Sequence, residues 1–260
     1  MNLKKVRIIR YHAESFDENY DDIAVEYPLT IKIEGEEFLT LVCSPEHLEE
    51  LAVGILASEG LIRNLDQIES LSIDESKGYI YVELHNKKVI NKDMISKRFI
   101  GSCCGKSRQF FFSNDVKTAK TIMTRTKISV SQCLSLMGKM QESSSEFHLT
   151  GGLHNAALCS KEGLIILRSD IGRHNALDKI YGYCIQNKIR LTDKVIVFSG
   201  RISSEILLKV SKIGAGIILS KSAPTSLALE LANDLGITAI GFTRKDRLNI
   251  YTHPERIIDF

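Results

Sequence analysis

The chain has 260 residues, more than the roughly 100 to 200 typical of one domain, so length points to one large domain or two unequal ones. With 43% hydrophobic and 25% charged residues, 4 prolines and 17 glycines, the composition is that of a folded globular protein and excludes disordered and collagenous chains. Lys and Arg number 34 against 32 Asp and Glu; a formal charge of +2 gives no global field for duplex nucleic acid or anionic membrane, so any anion site is local.

The start, MNLKKVRIIRYH, has no apolar stretch of signal-peptide length because Arg7 and Arg10 interrupt it, and no run reaches the roughly 20 apolar residues of a membrane span. The expectation is a cytoplasmic protein with no membrane and no nucleic-acid partner. Residues 28–43 alternate apolar positions at Leu29, Ile31 and Ile33, pass a Glu-Gly turn, and resume at Phe38, Leu39 and Leu41, which predicts a hairpin. A helix follows, with Ser44 as cap, Pro45 in its first turn, Leu48, Leu51, Ala52, Ile55 and Leu56 at helical spacing, and Gly60 as its stop. A strand is expected around Tyr79 to Leu84. This half reads as α+β and ends near a basic cysteine segment at 97–108.

The polar stretch QESSSEFHLT at 141–150 reads as an exposed connection. A helix around 174–187 sets Leu177, Ile180, Tyr181, Cys184 and Ile185 on one face. Three apolar runs then read as buried strands: KVIVF (194–198), GIILS (216–220) and ITAIGF (237–242). Between them lie a helix near 203–213, with Ser203 as cap and Gly214 as stop, and a second near 224–235, from Pro224 to Gly236. A βαβαβ order of this kind makes the strands parallel, with right-handed crossovers.

Ligands of open α/β sheets gather outside the carboxyl ends of parallel strands. Here those ends read SGRISSE (199–205), SKSAPT (220–225) and FTRKDR (242–247). All three bring glycine, hydroxyl or basic residues, and the first two run into helix N-termini, whose free N–H groups favour phosphate-like anions. A fourth such turn is RSDIGRHNALDK (168–179), where Gly172 precedes a helix opening on Arg173 and His174. Any one of these loops reads as a well-capped helix with solvated charges. Together they point to a nucleotide or polyphosphate ligand, with Arg173, His174, Ser199, Gly200, Arg201 and Ser222 as candidate contacts. His154 and His174 can donate to a phosphate, move a proton or act structurally, and Glu205 reads as a first-turn dipole partner. The chain has no GxGxxG, and GSCCGKS is no Walker loop because Ile100 stands where the earlier glycine is required.

Six cysteines are too few for a secreted disulfide framework at this length. Cys43, Cys133, Cys159 and Cys184 sit in or beside apolar patterns and read as core. Cys103 and Cys104 differ. They stand in SKRFIGSCCGKSRQ (96–109) with Lys97, Arg98, Lys106 and Arg108, and nearby cations stabilise a thiolate, the reactive form of a thiol. Zinc is the weaker alternative, since adjacent cysteines do not supply the usual two-residue gap.

These strings, with EYPLTIKIEGE, SPEHLEELAVGILASEGLI, TGGLHNAA, SGRISSEILLKV and SKSAPTSLALELANDLGITAIGF, resemble the formate dehydrogenase accessory sulfurtransferase family, FdhD, over nearly the whole chain. The resemblance implies an α/β fold: a cytidine-deaminase-like C-terminal domain over 121–260, a smaller α+β domain over 1–120 that ends in the cysteine loop, and a homodimer. It implies a sulfurtransferase that takes sulfur from a cysteine desulfurase as a cysteine persulfide. The recipient is the molybdenum or tungsten bis(guanine dinucleotide) cofactor, bound as a client without protein-ligated metal and destined for formate dehydrogenase. A cofactor-binding chaperone that handles no sulfur is the alternative. The deaminase signature HxE with PCxxC is absent, which disfavours deamination. Many relatives carry CGxCG where this chain has CCGK; aligning the following Gly-Lys pairs Cys104 with the second family cysteine and Cys103 with the first, so Cys103 is the expected persulfide carrier and Cys104 its helper or alternate carrier. The family's cofactor segment falls on Phe242, Thr243, Arg244, Lys245, Asp246 and Arg247.

Overall fold

The computed structural model describes residues 2–87, 98–100, 118–144 and 149–259. It opens on β1 (Leu3–His12) and β2 (Ser15–Ala24), a self-paired hairpin whose turn residues Ala13 and Glu14 both have positive φ. The sequence reading assigned no strands here. The expected hairpin follows as β3 (Tyr27–Ile33) and β4 (Glu36–Cys43), turning at Glu34 and Gly35, again both at positive φ. After the helix α1 (Leu48–Ser58) come β5 (Ile68–Asp74), β6 (Tyr79–Leu84), where the expected strand lies, and β7 (Arg98–Ile100). These strands form a five-stranded sheet in the order β5-β6-β3-β4-β7, with β7 parallel to β4.

Helix α1 starts later than expected. Its N-cap is His47, which makes no side-chain cap bond, whereas Ser44 is fully buried and bonded elsewhere: its N–H donates to Asp170 (3.0 Å) and its Oγ accepts from Ile171 N–H (3.1 Å). The hydroxyl is taken by a tertiary partner, so it does not cap its own helix. Nine of the eleven residues of α1 are buried, as a helix apolar on most sides requires.

The second half begins with α2 (Val130–Glu142), opened by a capping box between Ser129 and Gln132. Then come β8 (His154–Cys159), β9 (Leu164–Asp170), α3 (Arg173–Gln186), β10 (Val195–Phe198), α4 (Ser204–Ile213), β11 (Ile217–Ser220), α5 (Ser226–Leu235), β12 (Thr238–Arg244) and β13 (Arg247–Ile250). Strands β10, β11 and β12 are parallel neighbours, as their pattern predicts, and Ser203 and Gly214 bound α4 as expected. Helix α5 starts at Ser226 rather than Pro224, because Pro224 bridges Ile202 and Thr225 N–H bonds Ile202 O. Antiparallel β8, β9 and β13 complete a six-stranded sheet in the order β13-β12-β11-β10-β8-β9.

Period-two alternation gives this sheet two buried faces. Ala156, Leu158, Ile196, Phe198, Ile218 and Ala239 share one core with α1, α3, α4 and α5. Ala157, Cys159, Val195, Val197, Ile217, Leu219 and Ile240 face Cys133, Leu136, Met137 and Met140 of α2. The result is an α/β layer arrangement in which α1 joins the two large sheets by packing on α3. At that crossing a Cβ on Gly54 would stand 1.9 Å from Asp178 O, and one on Gly182 would stand 1.8 Å from Glu50 O. Both contacts are with backbone, so neither helix can yield without moving as a unit.

Gly54→Ala and Gly182→Ala are each expected to lower stability by about 3 kcal/mol in urea unfolding, through overpacking. Gly138→Ala in α2 meets nothing within 4 Å and should be neutral or stabilising by about 0.5–1 kcal/mol. Tolerance of alanine at residue 54 would contradict the close crossing.

Candidate functional site

Antiparallel pairing of β8 with β10 brings the first residues of β8 to the carboxyl end of β10, where α3 also begins. A cleft of about 430 Å³ opens there. Arg173, Ser199, Gly200, Arg201 and Ser222, all expected from sequence, line it. His154, Asn155 and Lys221 join them, with Met140, Gln141 and Ser144 from the end of α2. Among the described residues the wall therefore carries three cations, Arg173, Arg201 and Lys221, and no carboxylate.

The loops are held by their own hydroxyls. Ser199 Oγ accepts from Asn155 N–H (2.9 Å), Ser222 Oγ donates to Ser199 O (3.2 Å), and Ser220 Oγ donates to Gly200 O (2.6 Å) while accepting from Ser222 N–H (3.0 Å). Gly200 is required by space: a Cβ there would press on the Phe198 ring at 3.0 Å. Arg173 is the first residue of α3, and its Nε is buried with no hydrogen-bond acceptor among the described residues. A buried charged donor without a partner is costly and is relieved by an anion.

His174 lies behind this wall, its Nε2 3.0 Å from Glu205 Oε2 in the first turn of α4. Glu205 is held below the usual carboxylate range, chiefly by His174, so it is a charged partner of the imidazole as well as a dipole partner of its helix. Burial pushes His174 below its ordinary value, against the pull of Glu205. His154 is also pushed down, by burial first and then by Arg173 and His174. Both imidazoles are thus neutral near pH 7, able to donate one proton and accept another.

The segment Phe242 to Arg247 adjoins the cleft without lining it. Phe242 N–H bonds Ser222 O (3.2 Å) across from the β11 loop, and Gly241 permits this because a Cβ there would lie 3.0 Å from that same oxygen. Arg244 pairs with Arg247 at the end of the β12–β13 hairpin, and Lys245 and Asp246 are its exposed turn. Thr243 is fully buried with an unbonded Oγ1. Cys103 and Cys104, with Lys106 and Arg108, lie outside the described residues. The other four cysteines are buried as expected, and burial pushes each thiol up to about 12, which leaves them unreactive.

The sequence reading did not assign Met140, Gln141 and Ser144 to the site. The capping box at Ser129 and Gln132 announces a helix that ends there, but only the tertiary packing of α2 against the sheet brings its end to the strand edge.

A family model, that of the FdhD/NarQ family, matches residues 24–258. The chain belongs to the FdhD/NarQ family. Its similarity to individual members is high: 54% identity over 255 residues to the sulfur carrier protein FdhD of Geobacillus kaustophilus, covering 98% of this chain and 97% of that protein. The sulfur carrier protein FdhD of Bacillus subtilis is 55% identical over 248 residues, 95% of each chain. A crystal structure described as a formate dehydrogenase accessory protein from Desulfotalea psychrophila superposes with a TM-score of 0.79 at 24% identity, over 99% of this chain and 100% of the other, and so shares the fold.

In this FdhD/NarQ chain, His154 and His174 are expected to titrate below 6.5 in proton NMR spectra. Their lowered folded values mean that the stability they contribute is fully present above pH 6.5 and is lost as pH falls through those values. Titration of either ring above 6.5 would contradict its burial.

Proposed function

We propose that this chain is a sulfur carrier, as its relatives are named, and that it serves formate dehydrogenase maturation in the cytoplasm. Among the described residues no helix is long and apolar enough to cross a membrane. The donor is a cysteine desulfurase. The Cys103 thiolate attacks the outer sulfur of the donor's persulfide; a new S–S bond forms at Cys103, the old one breaks, and the desulfurase leaves as a thiolate. Arg98, Lys106 and Arg108 favour the ionised forms, and Cys104 assists. The cargo is the molybdenum or tungsten bis(guanine dinucleotide) cofactor, a substrate carrying pyrophosphates. Arg173, Arg201 and Lys221 hold its phosphates, with the α3 and α4 N-termini, and Arg244 and its neighbours extend the surface.

One observation carries this reading: the root of the cysteine segment and the cleft meet the same buried junction. β7 runs parallel to β4 with Ile100 beside Leu41, so it heads toward Cys43 and Ser44. Ser44 bonds to Asp170 and Ile171, immediately before the Gly172–Arg173 turn of the cleft. Cys103 follows Ile100 by three residues, a chain reach of at most about 11 Å. Transfer of the outer sulfur to the cargo returns Cys103 as a thiolate, the electron pair of the new bond coming from the cargo. The domain division at residue 120 and a deaminase-like ancestry of the C-terminal part belong to the same reading.

After incubation with desulfurase and cysteine, mass spectrometry should find one added sulfur atom on the peptide containing Cys103 and Cys104, removed by reductant and absent from Cys103→Ala. A peptide that stays unmodified while its thiols react with maleimide would reject the sulfur step. The double variant Cys103→Ala/Cys104→Ala separates the chaperone alternative, which requires that formate dehydrogenase still become active. Pyrophosphate binding by calorimetry should weaken about 10- to 100-fold in Arg173→Ala and in Arg201→Ala, the loss of one charged hydrogen-bonding partner. Unchanged affinity in both would place the phosphates elsewhere.

A further inference from the structure

His154, the first residue of β8, lines the cleft but takes no part in the hydrogen bonds that hold its wall. Its neighbour Asn155 is tied in place: its N–H donates to Ser199 Oγ (2.9 Å) and its Oδ1 accepts from Ser169 Oγ (2.6 Å). The His154 ring, by contrast, has no hydrogen bond among the described residues. Its Nδ1 faces Gly200, where an added Cβ would lie 3.5 Å away, and Gly200 lines the same cleft. An imidazole with two uncommitted nitrogens is therefore turned toward the space that Arg173 also faces.

The charges around this ring are one-sided. Arg173 on α3, Arg201 after β10 and Lys221 after β11 share the cleft with it, and the end of α2 brings only uncharged residues. His174, also on α3, adds repulsion when protonated. Two carboxylates lie near, and both are committed elsewhere. Asp170, opposite His154 in the β8–β9 pairing, is held by Lys179, Ser44, Gly172 and Asn175, and Glu205 on α4 is paired with His174. Burial first, then Arg173 and His174, keep the His154 ring uncharged. A dianion set among these cations reverses the balance, because it cancels their repulsion and gives the ring a charged acceptor.

We propose that His154 is a further ligand of the anion in this cleft and binds it as the imidazolium, so that a phosphate-like dianion is taken up together with one proton from solvent and releases that proton when it leaves. Linkage makes the effect reciprocal: protonation tightens the anion by the same factor by which the anion favours protonation. Mild acidity therefore loads the cleft and higher pH loosens its hold. The affinity changes over the interval between the ring's value in the free protein, below 6.5, and its higher value in the complex. His174 does not serve in this way, because Glu205 at 3.0 Å already supplies its counter-charge and it stands behind the wall. This inference rests on the anion reading of the cleft and adds its regulation; it is independent of the sulfur step.

Sulfate is the probe, because it stays a dianion near neutral pH and any pH dependence then belongs to the protein. Proton NMR of the full chain should show the His154 ring titrating at higher pH in saturating sulfate than without it, with His174 moving less; this measurement needs no variant. Calorimetry between about pH 5.5 and 8 should give a sulfate Kd that tightens as pH falls, by up to about tenfold per pH unit, with close to one proton taken up where the change is steepest. His154→Gln should abolish that slope, whereas Arg173→Ala should weaken sulfate at every pH and retain a slope. An affinity that depends on Arg173 but not on pH, a slope that survives His154→Gln, or a ring whose titration ignores sulfate would overturn the proposal while the anion site stands. Absence of sulfate binding at every pH would overturn the proposal and the anion reading together.

Discussion

The Asp170 carboxylate, fully buried, is the point on which the two halves of the chain and the mouth of the cleft depend. It accepts from Lys179 Nζ at 2.7 Å, Ser44 N–H at 3.0 Å, Gly172 N–H at 2.8 Å and Asn175 Nδ2 at 2.9 Å. Breaking such a pair leaves an uncompensated buried charge, a loss of about 3–5 kcal/mol. The four donors come from the end of β4 and from the turn and first two turns of α3, so one carboxylate fixes where the small sheet ends and where Arg173 begins. The glycine crossing of α1 and α3 continues this junction. Beyond it, Arg168 holds Glu50 through Nε and Nη2 at 2.5 and 2.6 Å, and Asp178 takes Ser58 Oγ and Lys209 Nζ at 2.9 and 2.6 Å.

The cleft has the opposite character. Where the junction satisfies its charges, the cleft, among the described residues, leaves Arg173 Nε without an acceptor and sets Arg201 and Lys221 nearby with no lining carboxylate. An unpaired buried donor costs stability that a bound anion would recover, and in the proposed function that anion is a phosphate of the cargo. Neutral His154 adds a hydrogen-bonding group without adding charge. His174, paired with Glu205, keeps the helix starts of α3 and α4 in register.

The β1–β2 arm follows a third logic. Its residues bury little within the chain, and its aromatic side chains stand exposed on a sheet of their own. The cleft, by contrast, is shaped by the packed core of α1, α3 and the second sheet, which holds its lining residues in place.

Local pattern was enough for much of this. Apolar runs at 194–198, 216–220 and 237–242, punctuated by Ser203, Gly214 and Gly236, determine a parallel βαβαβ unit, and that unit's topology determines which loops share an edge. Ser199, Gly200, Arg201 and Ser222 were legible for that reason, and Arg173 from the glycine turn before its helix. The start of α1 was not, because Ser44 caps a helix in every local respect and is recruited by Asp170, 126 residues away. Strands β8 and β9 were hidden by polar and glycine-bearing ends, and the closing of the cleft by α2 by a packing contact that leaves no mark in helical periodicity. Sequence by itself determined the elements whose stabilising contacts are local and periodic, and it singled out the two cysteines by the basic residues beside them. Only tertiary structure decided which cations face one another across the cleft and which buried donor is left unpaired, because those depend on contacts between segments far apart in the chain, from Met140 to Ser222.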